Sequence, residues 1–166
     1  SIAFDSGAVI ARRMRSGEAA DVIIIPRAAI DELVRAGVVG ATSVADVARS
    51  TVGVALRRGA PKPDISTPEA VRRTLLAARS IAMPDPSLGG SSGVHIAKML
   101  ERFGIAEELR PRIVLASNPD REDEMPGSLV ASGRAEIALH QIQELLAVPG
   151  LEIVGPLPDD LKGDFL

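Results

Sequence analysis

Short runs of apolar, mostly β-branched residues alternate along the chain with segments in which apolar residues recur every three or four positions. The first pattern is typical of buried strands and the second of amphipathic helices. Their alternation predicts an α/β fold of βαβ units around a parallel or mixed sheet. The predicted strands are residues 2–4, 22–25, 52–56, 80–83, 113–116, 136–139 and 151–154.

The clearest predicted helix follows the fourth of these strands, after a loop rich in glycine and serine. Its apolar stripe consists of Ile96, Met99, Leu100 and Phe103. These positions follow the i, i+3, i+4, i+7 spacing of a single helix face, which we expect to pack in the core. Gly104 then supplies a helix end.

The strongest break in the pattern is the proline-rich stretch 61–69, PKPDISTPE. Proline lacks a backbone donor and restricts the residue before it, so such a stretch interrupts helices and strands alike. We expect a lobe boundary here. Ser66 and Glu69 lie at capping-box spacing and predict a helix over residues 69–79.

Composition and charge narrow the classes of partner. The 166 residues include 19 Lys and Arg against 22 Asp and Glu, a net charge of -3, and no Tyr or Trp. A nucleic-acid partner is not expected, because neutralising phosphates needs a basic excess and stacking on bases needs aromatic rings. No apolar run is longer than four residues, the length of the run 22–25, which is far too short to cross a bilayer. Direct membrane insertion is therefore not expected either.

Nothing in the residues calls for a cofactor or a metal ion. The chain has no cysteine, which excludes disulfides and thiolate ligands. Its two histidines, His95 and His140, fall in unrelated predicted elements without an ordered set of further ligands. We therefore expect no cofactor and no metal site.

Two loops of serine and glycine, each between a predicted strand and a predicted helix, are the candidate chemistry. They are residues 5–8, DSGA, and residues 89–93, GGSSG. A helix amino terminus offers unpaired N–H groups with partial positive charge, glycine allows close approach, and serine adds a hydroxyl donor. Each loop could hold one side of an anion. The alternative is that Ser6 and Ser92 only cap their helices.

Several segments, in this order and spacing, resemble the molybdate-binding type of periplasmic solute-binding protein. They are FDSGAVI at 4–10, GEAADVII at 17–24, the helix end at 30–39, the helix at 93–100 and the stretch 129–146 that contains LVASGRAEI. The resemblance implies the type II periplasmic-binding-protein fold, with two α/β lobes and a ligand in the cleft between them. It places a partial first lobe at 1–52, the second lobe at 53–138, and the hinge and return at 139–166.

The same resemblance implies a set of ligand-binding residues. They are Ser6, Gly7 and Ala8 in the first loop, Ser91, Ser92 and Gly93 in the second, and His140 and Gln141 at the end of the strand that runs toward the hinge. The family's ligand-binding tyrosine falls near Gln141, and this chain has no tyrosine. The ligand is therefore left open between a molybdate-like oxyanion and a small organic anion.

The function implied is transport. We expect a periplasmic or otherwise extracytoplasmic substrate-binding component of an ABC-type transporter that passes a small anion to a membrane permease and catalyses no reaction. The family places a further strand and helix before residue 2, so we expect the first lobe to be incomplete at its amino end, and a secretory leader could precede it.

Two alternatives come from other classes of protein. Residues 89–93 satisfy the G-x-S-x-G pattern of a serine hydrolase, with Asp120 or Asp123 and then His140 in the order of a catalytic triad. Against this, residues 84–88 separate the serine from the preceding strand, whereas a nucleophile elbow turns directly off it. The other alternative is a cytoplasmic module that senses an effector in the same cleft.

Overall fold

A computed structural model describes residues 2–3, 5, 7–118, 121–163 and 165, and for Ala8 the backbone alone. The chain divides into two compact units. Unit 1 consists of residues 1–49 with 165–166, and unit 2 of residues 50–164. Each unit is described by itself.

The described part of unit 1 is helical. It contains α1 (Gly7–Arg15), α2 (Arg27–Arg35) and a single 3-10 turn at Ala41–Ser43. Leu33 of α2 is fully buried, and Gly37, just past the helix end, has a positive φ of 71°, which glycine adopts without strain. Gly37 therefore ends α2.

The two strands predicted in unit 1 are not observed. Residues 22–25 have no strand conformation, and Val22 and Ile24 are 77% and 72% exposed. Of residues 2–4, the described Ile2 and Ala3 are likewise not in a strand, and Phe4 lies outside the described residues. A strand exists only where its backbone pairs with a neighbour, and no described segment of unit 1 pairs with these runs.

Unit 2 is a mixed sheet flanked by helices. Its strands are β1 (Val52–Arg57), β2 (Ile81–Pro84), β3 (Ile113–Ala116), β4 (Ile137–Gln141) and β5 (Leu151–Pro156). Its helices are α3 (Pro68–Ala77), α4 (Ser91–Arg102), α5 (Ala106–Leu109), α6 (Pro126–Ala131) and α7 (Ile142–Leu146). The five strands predicted for this part of the chain are all present.

Strand pairing explains the mixed character of the sheet. The order is β3-β2-β4-β1-β5; β2 runs parallel to β3 and β4, and β1 runs antiparallel to β4 and β5. The predicted α/β class is confirmed. The parallel part consists of the three strands joined through helices, which is the connection that parallel neighbours require.

A row of alanines crosses the sheet on one face. Ala55 pairs with Ala138, and Ala138 with Ala82 on the other side. All three are fully buried and belong to one apolar cluster with Leu129 of α6 and Leu145 of α7. Methyl side chains leave room for these helices to lie close to the strands, so the alanines fix the distance between sheet and helices.

Helix α4 has the predicted apolar stripe. Ile96, Met99 and Leu100 are at most 4% exposed, and α4 packs against β2 and β4. Helix α3 differs from its prediction, because Thr67 is its N-cap: the Thr67 hydroxyl accepts a hydrogen bond from the Ala70 N–H. The capping box assigned to Ser66 is therefore wrong by one residue.

The proline-rich stretch 61–69 lies inside unit 2, where it joins β1 to α3. The lobe boundary predicted there is wrong, because the prolines mark a surface connection. The division falls instead between Arg49 and Ser50, three residues before the end of the predicted first lobe at residue 52. Residues 139–164, predicted as hinge and return, group with unit 2, and the hinge role stays a prediction.

Among the helices of the described residues, none combines the length and the apolar character needed to cross a bilayer.

Candidate functional site

The candidate site lies at the carboxyl edge of the parallel strands of unit 2. Since β2 lies between β3 and β4 and runs parallel to both, the carboxyl ends of the three strands lie along one edge of the sheet. This edge is where ligands bind in open α/β sheets. It brings the start of α4, which holds Ser91, Ser92 and Gly93, to the same edge as His140 and Gln141 at the end of β4.

Helix α4 begins with unsatisfied donors. Its N-cap is Gly90, which supplies no side-chain hydrogen bond, and the first N–H with a backbone acceptor is that of Val94, bonded to the Gly90 carbonyl. The N–H groups of residues 91–93 therefore have no acceptor among the described residues. Together with the helix dipole they make a site suited to an anionic group.

Ser92 adds a hydroxyl to these donors. The residue is only 4% exposed, and its hydroxyl forms no hydrogen bond with another described residue. The interpretation of Ser92 as a helix cap is wrong, because the N-cap position belongs to Gly90. Every fully buried side-chain N or O atom of the described residues has a partner, so the unpartnered Ser92 hydroxyl keeps some access to solvent. A reachable hydroxyl beside free N–H groups can donate to a ligand.

Gly93 seats the first turn of α4 on the end of β2. A Cβ placed at Gly93 would lie 3.0 Å from the Pro84 carbonyl oxygen and 3.3 Å from that of Asp85. Any larger residue would push the helix start away from the strand. The third glycine of the GGSSG motif is thus required by packing, a reason that capping alone does not supply.

Asp85, the first residue after β2, links two of the loops at this edge. One carboxylate oxygen accepts hydrogen bonds from the Ser87 N–H at 2.9 Å and the Ser87 hydroxyl at 2.6 Å, and the other accepts from the Ser117 hydroxyl at 2.8 Å. Hydrogen bonds from the Ser87 hydroxyl, the Ser117 hydroxyl and the Ser87 N–H lower the pKa of Asp85, although burial opposes them.

His140 is a buried imidazole in a defined tautomer. The Gln141 N–H donates to its Nδ1 at 2.7 Å, which leaves the proton on Nε2. Burial lowers the pKa of His140 to about 4, so the ring is neutral at physiological pH. Its cross-strand partner is Gly53, which has no side chain to donate to the ring. His140 is therefore an uncharged N–H donor at the strand end.

Gln141 lies at the end of a short chain of amides. The Ser50 hydroxyl donates to the side-chain oxygen of Gln143, and the Gln143 amide donates to that of Gln141 at 2.8 Å. The oxygen of Gln141 is thus occupied, and its NH2 group is the part left to donate. Like His140 and the start of α4, this side chain offers donors, which an anion needs.

The first predicted loop belongs to unit 1. Gly7 opens α1 and packs tightly, since a Cβ there would lie 2.7 Å from Pro26 Cδ. Ser6 lies outside the described residues, and Ala8 is described by its backbone within α1. Their role in binding stays a prediction.

A model of the bacterial extracellular solute-binding protein family matches residues 1–164. The chain belongs to this family.

Among curated proteins, this solute-binding protein is 37% identical over 161 residues to an aconitate isomerase from a Pseudomonas species. The match covers 95% of this chain and 57% of the relative, so the chain spans little more than half of that protein's length.

Two solved structures share the fold at low identity. One is a substrate-binding domain assigned to a molybdenum ABC transporter from Clostridium difficile, with a TM-score of 0.71, 10% identity and coverage of 99% of this chain and 68% of that chain. The other is the periplasmic molybdate-binding protein of Azotobacter vinelandii, with a TM-score of 0.55, 17% identity and coverage of 97% and 68%. The predicted molybdate-binding-type resemblance and the type II periplasmic-binding-protein fold class are confirmed.

The hydrolase pattern does not assemble a triad in the described part of the solute-binding protein. Six residues separate β2 from Ser91, and His140 Nδ1 is occupied by a backbone N–H. Asp123 pairs with Arg121, and Asp120 lies outside the described residues. A nucleophile elbow needs a sharp strand-to-helix turn and a base bonded to the serine, and neither is observed here.

Sequence reasoning missed Asp85, Ser117 and Gln143. Asp85 and Ser117 directly follow strand ends, and that position was the available signal. Their bond joins residues 32 positions apart, and no periodicity in the sequence indicates it.

We predict that His140 makes the solute-binding protein less stable in acid. Its folded pKa of about 4 lies below the ordinary 6.5. The unfolded chain therefore binds more protons between these values, and the stability contribution is complete above pH 6.5 and is lost as pH falls toward 4. In urea unfolding, the free energy of unfolding of the parent should fall between pH 7.5 and pH 5. In His140→Gln that fall should be smaller by about 2 kcal/mol.

His95→Gln serves as the matched control, and the pH-dependent loss should persist in it because His140 is untouched. An equal loss in the parent and in His140→Gln would contradict a buried, neutral His140.

Proposed function

We propose that this chain is part of an extracytoplasmic, periplasmic substrate-binding component of an ABC-type transporter, and that its ligand is a small organic anion with two or three carboxylates. The observation that carries the proposal is the start of α4, where three N–H groups and the hydroxyl of Ser92 have no described partner. The ligand is then passed to a membrane permease.

The donors at this edge suit carboxylates. The N–H groups of residues 91–93 can hold one carboxylate through backbone donors, as helix amino termini do. The His140 Nε2–H and the Gln141 NH2 are separate neutral donors at the end of β4. A ligand with several acidic groups can use both sets, and Ser6, Gly7 and Ala8 stay predicted ligand residues of unit 1.

Relatives support an organic ligand over an oxyanion. The 37% identical relative is named for aconitate, a tricarboxylate, whereas the molybdate-binding structures share only 10% and 17% identity. The two molybdate-binding structures, at 10% and 17% identity, support the fold alone. The relative at 37% identity carries more weight for the chemistry of the ligand. The absence of tyrosine from the chain agrees with this choice.

Isomerisation of aconitate is a second candidate function, because the relative is named as an isomerase. Moving a double bond along the tricarboxylate requires a base that removes a proton from carbon and an acid that returns one. The described edge offers His140 with its Nδ1 occupied and Asp85 with both oxygens accepting hydrogen bonds. These residues favour binding over proton transfer.

We predict that a thermal-shift screen of the full chain will show stabilisation by cis- or trans-aconitate, citrate or tricarballylate and none by molybdate or sulfate. A ligand at a hundred times its Kd should add about 2.7 kcal/mol of stability. Ser92→Ala should raise the Kd roughly tenfold or more, because a hydrogen bond to a charged ligand is lost. The ligand-free stability should change little, since that hydroxyl has no described partner.

Ser132→Ala is the matched control. Its hydroxyl bonds the Ser128 carbonyl at the far end of α6, so the Kd should match the parent's. Stabilisation by molybdate alone would overturn the organic ligand, and equal affinity in Ser92→Ala would overturn the assignment of the α4 start.

We also predict binding without turnover. Proton NMR of cis- and trans-aconitate incubated with the chain in D2O should show neither interconversion nor deuterium uptake at the methylene carbon. Growth of the other isomer with deuterium incorporated would establish the isomerase instead. His140→Gln would then test whether the histidine takes part in the reaction.

A further inference from the structure

We propose that Asp85 is a positioning residue that fixes the amino terminus of α4 against the end of β3, and so aims the free N–H groups of residues 91–93 at the ligand. That these N–H groups face a ligand rests on the proposed function. The positioning itself is a property of unit 2 without ligand.

Asp85 is joined to three parts of the carboxyl edge. Its carboxylate holds the Ser87 turn that leads toward α4, and it accepts from the Ser117 hydroxyl just after β3. Its own N–H donates to the Ala116 carbonyl at 3.2 Å, which extends the β2-β3 pairing by one residue.

The third contact of Asp85 is with helix α4. The Asp85 carbonyl oxygen lies 3.3 Å from the place of a Cβ on Gly93, so the first turn of α4 rests directly on the Asp85 backbone. A shift of Asp85 would therefore move the start of the helix. Gly89, with a φ of 73°, then turns the chain from the Ser87 turn into α4.

A carboxylate suits this position because every side-chain bond it makes is an accepted one. Three donors converge on its two oxygens, two from Ser87 and one from Ser117. Charge-assisted hydrogen bonds are stronger and more directional than neutral ones. A negative charge beside an anion site opposes ligand binding, so its presence is better explained by positioning than by contact with the ligand.

The test compares four variants by two readouts. The variants are Asp85→Ala, Ser117→Val, Ser117→Thr and the double variant Asp85→Ala with Ser117→Val. Ser117 is exposed, so the added methyl groups have room, and threonine keeps the hydroxyl that the similarly shaped valine lacks. The first readout is the amide NMR shifts of residues 91–93 in the ligand-free chain, and the second is the Kd for trans-aconitate.

Asp85→Ala and Ser117→Val should both move the amide signals of residues 91–93 without ligand, and Ser117→Thr should restore the parent positions. Asp85→Ala should raise the Kd about tenfold or more. The double variant should bind no worse than Asp85→Ala, because both changes break the same bond. If Asp85 only stabilised the fold, Asp85→Ala would lower the melting temperature, and the Kd measured below that temperature would match the parent's.

Unmoved amide signals in Asp85→Ala, or equal behaviour of Ser117→Val and Ser117→Thr, would overturn the inference. If Asp85→Ala does not fold, the comparison of Ser117→Val with Ser117→Thr tests the inference alone. If the parent binds no anion while the amide signals move as expected, the proposed function fails and the positioning role stands.

Discussion

The parallel pairing of β2 with β3 and β4 is the constraint on which the candidate site depends. It places three strand ends along one edge and therefore gathers the start of α4, the segment after β3 and the His140 strand end. Small residues make this arrangement close: Ala82 and Ala138 admit helices to one face, and Gly93 lets α4 rest on the end of β2.

The chemistry of the edge follows from what the backbone leaves unpaired. A helix start without a side-chain cap presents N–H groups, and no described acceptor satisfies those of residues 91–93. At the end of β4, on the same edge of the sheet, His140 and Gln141 are left as donors, because His140 Nδ1 and the Gln141 oxygen are already occupied. An uncharged set of donors that needs no proton change fits capture and release of an anion better than catalysis.

Local pattern was sufficient for most of unit 2 and insufficient elsewhere. The five strands and the stripe of α4 could be predicted because burial and periodicity act within a few residues. The run 22–25 has strand composition but no described partner, and composition alone cannot supply one. The bond between Asp85 and Ser117 depends on two strands being neighbours, which no local signal encodes.

The most direct measurement is a titration of the isotope-labelled chain with trans-aconitate, followed by amide NMR. Binding at the start of α4 should move the signals of Ser91, Ser92 and Gly93 saturably and most strongly, because their N–H groups gain an acceptor. The amide signal of Ser132, at the C-terminal end of α6, should not move. Saturable binding that leaves residues 91–93 unmoved would contradict the assignment of the α4 amino terminus as the anion site.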